Sequence, residues 1–372
     1  NPDGRKDYCA PKTFKGTASK LFRNLGTKAG KKAGTAPMPE FKDVSDEARV
    51  LKPGPGLGVI AADFTGDGWP DIFVANDGLP NHLWVNQRNG TFKEEAATRG
   101  VAVNAMGVAE ANMGIGWGDL DGDGLPDVFV THLDNETNTV WKQGPVGFFK
   151  DWTVKAKMHR PRWRATGFGT VLADFDNDGH LDAAIVNGAV TKAKSDPESP
   201  LGPFWSQYAQ RNQVFANDGT GRFKDVSPST PDFCGYGNVG RTLAMGDLDN
   251  SGSVWLVAVQ IAGPLKVLRN TAPDKGGWLR VRCLLPLAGG KTRDALGADV
   301  WVKHGKRTQT RTIQTNGGYL TSNDPRAHFG LGDAKKADSV EVRWPDGKRE
   351  RFAGREANGE LVLVQGKGEA VR

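Results

Sequence analysis

The chain has 372 residues, of which 38% are hydrophobic and 25% are charged, a composition typical of a folded globular protein. Its 49 glycines, 21 prolines, 11 tryptophans and 17 phenylalanines favour many short strands joined by tight turns over a helical protein. No run approaches the roughly 20 apolar residues of a transmembrane helix, so no membrane span is expected.

Residues 1–50 are predicted to form a basic lead-in and the outer half of a repeat unit. Much of the net charge of +6 lies in the first 32 residues. Few aromatic residues accompany these cations, so we interpret the segment as a solvated lead-in and expect no nucleic-acid partner. KLFRNLG from Lys20 and EFKDVSDEA from Glu40 resemble the closing half of the units that follow. Either this half-unit completes the last blade of a ring, or earlier blades precede this sequence.

Residues 51–271 are predicted to contain four copies of one unit. The copies begin as VIAADFTGDGWPDIFVAN from Val59, GIGWGDLDGDGLPDVFVTH from Gly114, TVLADFDNDGHLDAAIVN from Thr170 and TLAMGDLDNSGSVWLVAVQ from Thr242. In each, a short apolar strand leads into an acidic turn, and further apolar strands follow. Three or four strands in a unit of ~55 residues predict the blades of a β-propeller, of low or incomplete blade number, rather than a linear solenoid.

Three of the acidic turns repeat the pattern D-x-[DT]-x-D-G-x-x-D, which predicts calcium sites. Alternate residues of a tight loop can direct several oxygens at one hard cation, and the glycine lets the loop bend. The predicted ligands, counting the seventh-position carbonyls, are Asp63, Thr65, Asp67, Trp69 and Asp71; Asp119, Asp121, Asp123, Leu125 and Asp127; and Asp174, Asp176, Asp178, His180 and Asp182. An EF-hand is excluded, because its twelfth-position glutamate is missing and strands flank the loop. The alternative is that the aspartates only form turns, but three copies in register favour a metal.

The fourth acidic turn is a degenerate copy. It keeps Asp247 and Asp249, but Ser251 replaces the third carboxylate and Trp255 the closing one. We therefore predict a weak or empty fourth site beside three calcium sites.

Residues 277–366 follow a different pattern. Alternating apolar and charged residues, as in GWLRVRCLLP from Gly277, predict strands packed on one face. The expected fold is thus all-β, a propeller followed by a small antiparallel β-sandwich. The cysteines, Cys9, Cys234 and Cys283, are odd in number and form no C-x-x-C pair, so zinc is not expected and any disulfide pairing stays open.

These motifs resemble known families. The repeats resemble FG-GAP (VCBS) repeats, which are calcium-loop propeller blades. The G-A-x-V strand from Gly297, the G-G-Y-x-x-S-x-D turn from Gly317 and the H-F-G-L-G stretch from His328 resemble the ASPIC/UnbV domain. With YCAP from Tyr8, the whole resembles the cartilage acidic protein family, and we expect a bacterial member. The resemblance implies a secreted calcium-binding protein without a defined reaction. Animal members are acidic whereas this chain is basic, so their partners are not carried over.

The functional prediction is an exported binding module for a protein or glycan. Calcium sites with affinities of about 10⁻⁴ to 10⁻³ M would be empty in the cytosol, which favours an extracellular or periplasmic location, with the leader absent from this sequence. Candidate contact residues lie in the segment MHRPRW and in the insertion over 189–210. They are Arg160, Arg162, Trp163, Phe204, Trp205 and Tyr208. Both segments could also be ordinary loops anchored by an aromatic residue. A calcium-dependent polysaccharide lyase or hydrolase and a structural scaffold are the alternatives, and no motif assigns a catalytic residue.

Overall fold

The computed structural model describes residues 13–28, 37–159, 161–192, 201–272 and 276–371, and every structural statement below refers to these ranges. Short strands dominate, as expected of an all-β chain. The helical elements are single turns at Ala96–Arg99 (α1), Gly202–Trp205 (α2) and Pro231–Cys234 (α3), with 3₁₀ turns at Ser206–Tyr208, Ser227–Ser229 and Ala288–Gly290. Within these ranges, no helix combines the length and the apolar character that crossing a bilayer requires.

The lead-in forms a hairpin beside the first repeat. Its strands are Thr17–Ala18 (β1), Phe22–Lys28 (β2), Met38–Asp43 (β3) and Pro53–Gly54 (β4). β2 pairs with β3, and β1 pairs with β4. Leu21 anchors the base of the hairpin, because it packs with Val50, Val74 and Trp84 of the first repeat. The two long strands of the hairpin remain largely exposed.

Each of the four repeats forms its own antiparallel sheet. The strands in chain order are Gly56–Ala62 (β5), Asp71–Asn76 (β6), His82–Asn86 (β7), Phe92–Glu94 (β8), Ile115–Gly118 (β9), Asp127–Val130 (β10), Thr139–Gln143 (β11), Phe149–Asp151 (β12), Gly167–Ala173 (β13), Asp182–Asn187 (β14), Gln210–Arg211 (β15), Gln213–Asn217 (β16), Phe223–Asp225 (β17), Gly237–Asn238 (β18), Gly240–Gly246 (β19), Trp255–Gln260 (β20) and Lys266–Leu268 (β21). The sheets have the orders β5-β6-β7-β8, β9-β10-β11-β12, β13-β14-β16-β17 and β19-β20-β21, and β15 pairs with β18. The described part of the fourth sheet thus has three strands where the others have four.

Neighbouring sheets pack face to face through apolar side chains. Phe64 of the first repeat lies against Trp117 of the second, with ring centroids 4.3 Å apart. Phe129 of the second repeat shares a core with Ile185 of the third. Burial of these faces on both sides explains why the strands are apolar runs rather than strictly alternating sequences.

The first strands of three sheets converge on one glycine, Gly318. Its amide and carbonyl exchange hydrogen bonds with Ile115 of β9 (2.5 and 3.1 Å). A Cβ at Gly318 would lie 2.8 Å from the carbonyl oxygen of Thr170 in β13 and 3.6 Å from that of Leu243 in β19, and its φ is +68°. Only glycine fits such a position. The first strands of these three sheets therefore lie side by side around Gly318, and we refer to the four repeat sheets together as the array.

The C-terminal region forms a sandwich of two sheets. Its strands are Gly277–Pro286 (β22), Thr292–Asp294 (β23), Asp299–His304 (β24), Arg307–Thr312 (β25), Ala327–Gly332 (β26), Ser339–Arg343 (β27), Arg349–Ala353 (β28), Gly359–Val364 (β29) and Glu369–Ala370 (β30). One sheet contains β23-β22-β26 with β29 beside β22, and the other has the order β25-β24-β27-β28-β30. Phe329 and Trp344 share the buried core between them. The prediction of a purely antiparallel sandwich is wrong at one pair, because β29 runs parallel to β22 after the chain crosses from one sheet to the other.

The described cysteines do not form a disulfide. Cys234 and Cys283 are both free and buried. They belong to different cores, one among the repeats and one in the sandwich. Cys9 lies outside the described residues.

Candidate metal centre

The four acidic turns lie at the same end of the repeat sheets, because each links the first strand of its sheet to the second. In every turn the first aspartate accepts a hydrogen bond from the amide of the sixth-position glycine. The pairs are Asp63 with Gly68 (2.8 Å), Asp119 with Gly124 (3.0 Å), Asp174 with Gly179 (2.8 Å) and Asp247 with Gly252 (2.8 Å). These glycines have φ between +79° and +94°, the left-handed region that favours glycine. The sequence therefore fixes the turn geometry locally.

The closing aspartates of the first three turns are buried carboxylates. Asp71, Asp127 and Asp182 each accept a 2.8 Å hydrogen bond from an amide of the third strand of their sheet. Burial raises the pKa of Asp127 and Asp182 to about 8 and that of Asp71 to about 6. A buried carboxylate is costly unless a positive charge accompanies it. These positions therefore favour a cation inside the turn.

Two turns bring three aspartates within reach of one ion. Oxygens of Asp119, Asp121 and Asp127 lie within 4.8 Å of one another in the second turn. Those of Asp174, Asp176 and Asp178, the first, third and fifth positions of the third turn, do so as well. Either trio could hold a metal ion.

The second turn also contains an unsatisfied ligand atom. Oδ1 of Asp121 is buried and has no hydrogen-bond partner. An unpaired buried oxygen is destabilising, whereas a bound cation would satisfy it. The residues present therefore fit a hard metal ion.

Basic side chains from the third strands neutralise the outer carboxylates of two turns. Lys142 contacts Asp121 and donates to Asp123 at 2.6 Å. Arg88 donates to Asp67 at 2.9 Å. In the second turn Lys142 thus contacts both Asp121 and Asp123. Neither basic residue was singled out from the sequence.

The predicted ligands of the first and fourth turns do not form a three-carboxylate group among the described residues. In the first turn the third position is Thr65, whose hydroxyl is neutral. In the fourth, the amide of Ser251 donates to Asp247 (3.0 Å) and Asp249 (3.2 Å), so the turn is held by its own hydrogen bonds. The seventh-position carbonyls of Trp69, Leu125 and His180 stay predicted ligands.

The C-terminal sandwich covers the acidic turns, which sequence reasoning did not foresee. Arg307 donates to the carbonyl of Asp178 at 3.1 Å, and its guanidinium also contacts His180. The amide of Gly332 donates to the carbonyl of Asn177 at 2.8 Å. The end of the array that carries the acidic turns is thus an interface inside the chain.

The segment around Trp163 behaves as an anchored loop. The indole of Trp163 donates to the carbonyl of Arg211 at 3.1 Å and packs against the core between the third and fourth sheets. The amide of Arg162 donates to Asp225 at 2.8 Å. Arg160 lies outside the described residues. The role of this segment as a contact surface stays a prediction.

The aromatic residues of the insertion form a cluster at the opposite end of the array. Ring centroids of Phe204 and Trp205 are 4.9 Å apart, and those of Phe204 and Tyr208 are 5.9 Å apart. Tyr208 is buried, whereas Phe204 is 53% exposed. Trp205 also lines a surface groove with residues that are distant from it in the sequence and that no motif connected: Tyr236, Gln260, Pro264 and Lys266.

Comparison with known proteins identifies the class of the chain. Residues 63–130 and 119–185 match the model of the FG-GAP-like repeat, and residues 288–370 match that of the ASPIC and UnbV domain. The chain therefore combines FG-GAP-like repeats with a C-terminal ASPIC/UnbV domain, as the motifs predicted.

The curated relatives are more specific. The chain is 30% identical to cartilage acidic protein 1 of Mus musculus over 330 residues, which cover 83% of this chain and 44% of the relative. It is also 30% identical to cartilage acidic protein 1 of Xenopus tropicalis over 339 residues, which cover 87% and 46%. The chain is thus a distant homologue of cartilage acidic protein 1 and spans less than half the length of these relatives.

Similar solved structures are remote. One is an Agrocybe aegerita lectin described as recognising non-reducing terminal N-acetylglucosamine, with a TM-score of 0.31, 19% identity, and coverage of 58% of this chain and 54% of the other. Another is an exotype rhamnogalacturonan lyase, with a TM-score of 0.24, 13% identity, and coverage of 85% and 74%. Likenesses this weak carry no argument about function.

Proposed function

We propose that this protein is an exported calcium-binding β-propeller module that binds a glycan or protein ligand. The observation that carries the proposal is the convergence of three aspartates in each of the second and third turns, with oxygens within 4.8 Å of one another and no nitrogen or sulfur ligand among them. Oxygen-only sites suit calcium, which accepts six to eight oxygens in flexible geometry.

The calcium ions have a structural role in this proposal. The sandwich contacts the first, third and fourth acidic turns, so much of this end of the array is occupied by the chain itself. Bound calcium would offset the repulsion among the aspartates. At affinities of about 10⁻⁴ to 10⁻³ M and millimolar calcium, each site contributes about 1 kcal/mol by mass action, which supports an extracellular or periplasmic location.

The ligand surface lies at the end of the array away from the acidic turns. β14 runs from Asp182, at the acidic turn, to Asn187, so the insertion that follows Asn187 emerges at the opposite end. There Trp205 and Tyr236 provide aromatic faces, and Gln260 provides an amide. A groove of this kind suits the apolar face and hydroxyl groups of a sugar ring.

The calcium component is tested by titrating calcium into the metal-free chain in a calorimeter. We expect three sites, and we expect an Asp121→Asn, Asp176→Asn double variant to lose two of them. Asp218→Asn is the matched control, because Asp218 lies in an exposed hairpin turn outside the acidic turns. Binding that is absent from the wild type, or unchanged in the double variant, would reject the calcium sites.

The ligand component is tested on a glycan array with the calcium-loaded chain. We expect Trp205→Ala to lower binding at least ~10-fold, consistent with loss of an aromatic anchor. Phe14→Ala is the control, because Phe14 is an exposed aromatic residue of the lead-in. Turnover of a polysaccharide that EDTA abolishes would favour the enzyme alternative, and equal loss in both variants would argue against the groove.

A further inference from the structure

Two arginines of the sandwich reach the first aspartates of two acidic turns. Arg343, at the end of β27, donates to Oδ2 of Asp63 at 2.5 Å. Arg280, in β22, donates to Oδ2 of Asp247 at 2.5 Å. The side chains of Arg280 and Asp247 are only 6% and 3% exposed, so this ion pair is shielded from water.

The third turn receives an equivalent contact from the backbone. The amide of Gly330, in β26, donates to Oδ2 of Asp174 at 3.1 Å. A Cβ on Gly330 would lie 2.0 Å from that same oxygen, so the approach requires glycine. Burial raises the pKa of Asp174 to about 7, and the nearby Arg311 guanidinium opposes the rise. Three strands of the sandwich thus each donate a hydrogen bond to the first aspartate of a different acidic turn.

The oxygen contacted is the same in all three turns. Oδ2 is the atom that also accepts from the sixth-position glycine. Oδ1 accepts instead from the fifth-position amide, at 3.0 Å in Asp63, 3.1 Å in Asp174 and 3.0 Å in Asp247. Each carboxylate oxygen has two lone pairs, so Oδ1 keeps one for a metal. The donors of the sandwich and a metal ion can therefore act on one aspartate without competing for the same lone pair.

The fourth turn shows what happens where the metal ligands are missing. Ser251 and Trp255 stand where the other turns have carboxylates, which leaves Asp247 as its buried acid. Arg280 donates to Asp247 and, through its other nitrogens, to Glu360. A single guanidinium thus supplies positive charge to a turn that has lost its cation ligands.

We propose that hydrogen-bond donors of the C-terminal sandwich, which we call the clamp, orient the first aspartates of the first and third turns for calcium. In the fourth turn, Arg280 of the clamp takes the place of calcium. The clamp consists of Arg343, the amide of Gly330, and Arg280. Donors that orient a metal ligand commonly contribute 10- to 100-fold to affinity. By linkage, calcium then also strengthens docking of the sandwich on the repeats.

The inference rests on the proposed calcium sites, and Arg343 provides its test. Arg343→Lys keeps the charge, but an ammonium lacks the planar pair of Nε and Nη2 with which Arg343 contacts Asp299 while Nη2 also donates to Asp63. We expect calcium titration of the full chain to show one site weakened by ~10-fold or more. Arg349→Lys is the matched control, because Arg349 is paired with Glu341 away from the turns.

Arg343→Gln distinguishes orientation from simple repulsion between two cations. If the arginine only repels calcium, Arg343→Gln binds calcium more tightly and Arg343→Lys binds as the wild type does, which would overturn the clamp. Circular dichroism of each variant shows that the chain is folded. A wild type that binds no calcium would instead remove the proposed function itself, so the two failures are distinguishable.

Arg280→Gln tests the fourth turn. We expect a lower thermal midpoint by the same amount in calcium and in EDTA, with the number of calcium sites unchanged. A thermal midpoint that is unchanged in both conditions, or a loss of stability only in calcium, would show that Arg280 does not stand in for a cation.

Discussion

Replacing Asp127 by asparagine should separate the metal role of an acidic turn from its role in folding. The Asp127 side chain is buried, and it accepts hydrogen bonds from the amides of Leu120 (3.0 Å) and Gln143 (2.8 Å). Burial raises its pKa from 3.8 to about 8. Asparagine has nearly the shape of the protonated acid, so Asp127→Asn removes the charge with little change in volume. Its side chain can accept only one of the two hydrogen bonds, because the amide nitrogen is a donor.

The magnitude follows from proton linkage. Because the folded-state pKa is raised, the contribution of Asp127 to stability is complete below pH ~4 and is lost as the pH rises toward about 8. At pH 7 without metal, the folded chain must hold a proton that the unfolded chain has released. At 1.36 kcal/mol per pH unit, this costs up to about 4 kcal/mol. The backbone amide that loses its acceptor in the variant offsets about 1–3 kcal/mol of this difference. In EDTA at pH 7 we therefore expect the asparagine variant to be at least as stable as the wild type.

Calcium should reverse the relation between the two proteins. The wild-type carboxylate can ionise and coordinate calcium, whereas the variant has lost an anionic ligand. We expect the rise in thermal midpoint on adding millimolar calcium to be clearly smaller for Asp127→Asn, because about 1 kcal/mol of mass-action stabilisation is removed with that site.

The assay is differential scanning calorimetry at pH 5, 6, 7 and 8, in EDTA and in calcium, with Asp218→Asn as the control. The wild type in EDTA should lose stability across this pH range, and Asp127→Asn should lose less. A variant that is less stable than the wild type in EDTA, with an unchanged response to calcium, would show that Asp127 only forms the turn.

Three further substitutions test the turns, the buried acids and the core. Gly124→Ala should lower stability by about 1–2 kcal/mol, because φ at this position is +88°; a Cβ there would meet no atom within 4 Å, so backbone strain is the whole cost. Gly122→Asn should be tolerated, since the third turn has an asparagine with φ of +60° at the same position. An equal loss of stability in both variants would contradict the strain argument. Burial raises the pKa of Glu110 to about 7, so the wild type should lose up to about 3 kcal/mol of stability relative to Glu110→Gln as the pH rises from 4.5 toward 7. If the difference between their free energies of unfolding in urea does not change with pH, this prediction is wrong. Phe64→Ala should cost about 3–5 kcal/mol and Phe14→Ala less than ~0.5, and a small effect at Phe64 would show that the first two sheets do not share a core.

The local geometry of the acidic turns could be predicted from the sequence. The aspartate–glycine hydrogen bond spans five residues, as between Asp174 and Gly179, and glycine is required by the positive φ that follows the third ligand position. The strands on either side are short apolar runs whose pairing is set by the same turn. Interactions this close in sequence depend little on the rest of the fold, so the repeat pattern was sufficient.

The partners of these turns could not be predicted in this way. Arg343 and Asp63 are 280 residues apart in the chain, and they meet only because the sandwich lies on the ends of the sheets. The groove beside Trp205 combines side chains from α2, from Tyr236 and from the β20–β21 hairpin, and β29 joins β22 in parallel only after crossing between two sheets. Each turn could be predicted from the sequence because its hydrogen bonds join residues close in the chain. The residues that contact the turns were decided by tertiary structure, because packing the sandwich against the sheets brings together charged residues that are far apart in the sequence.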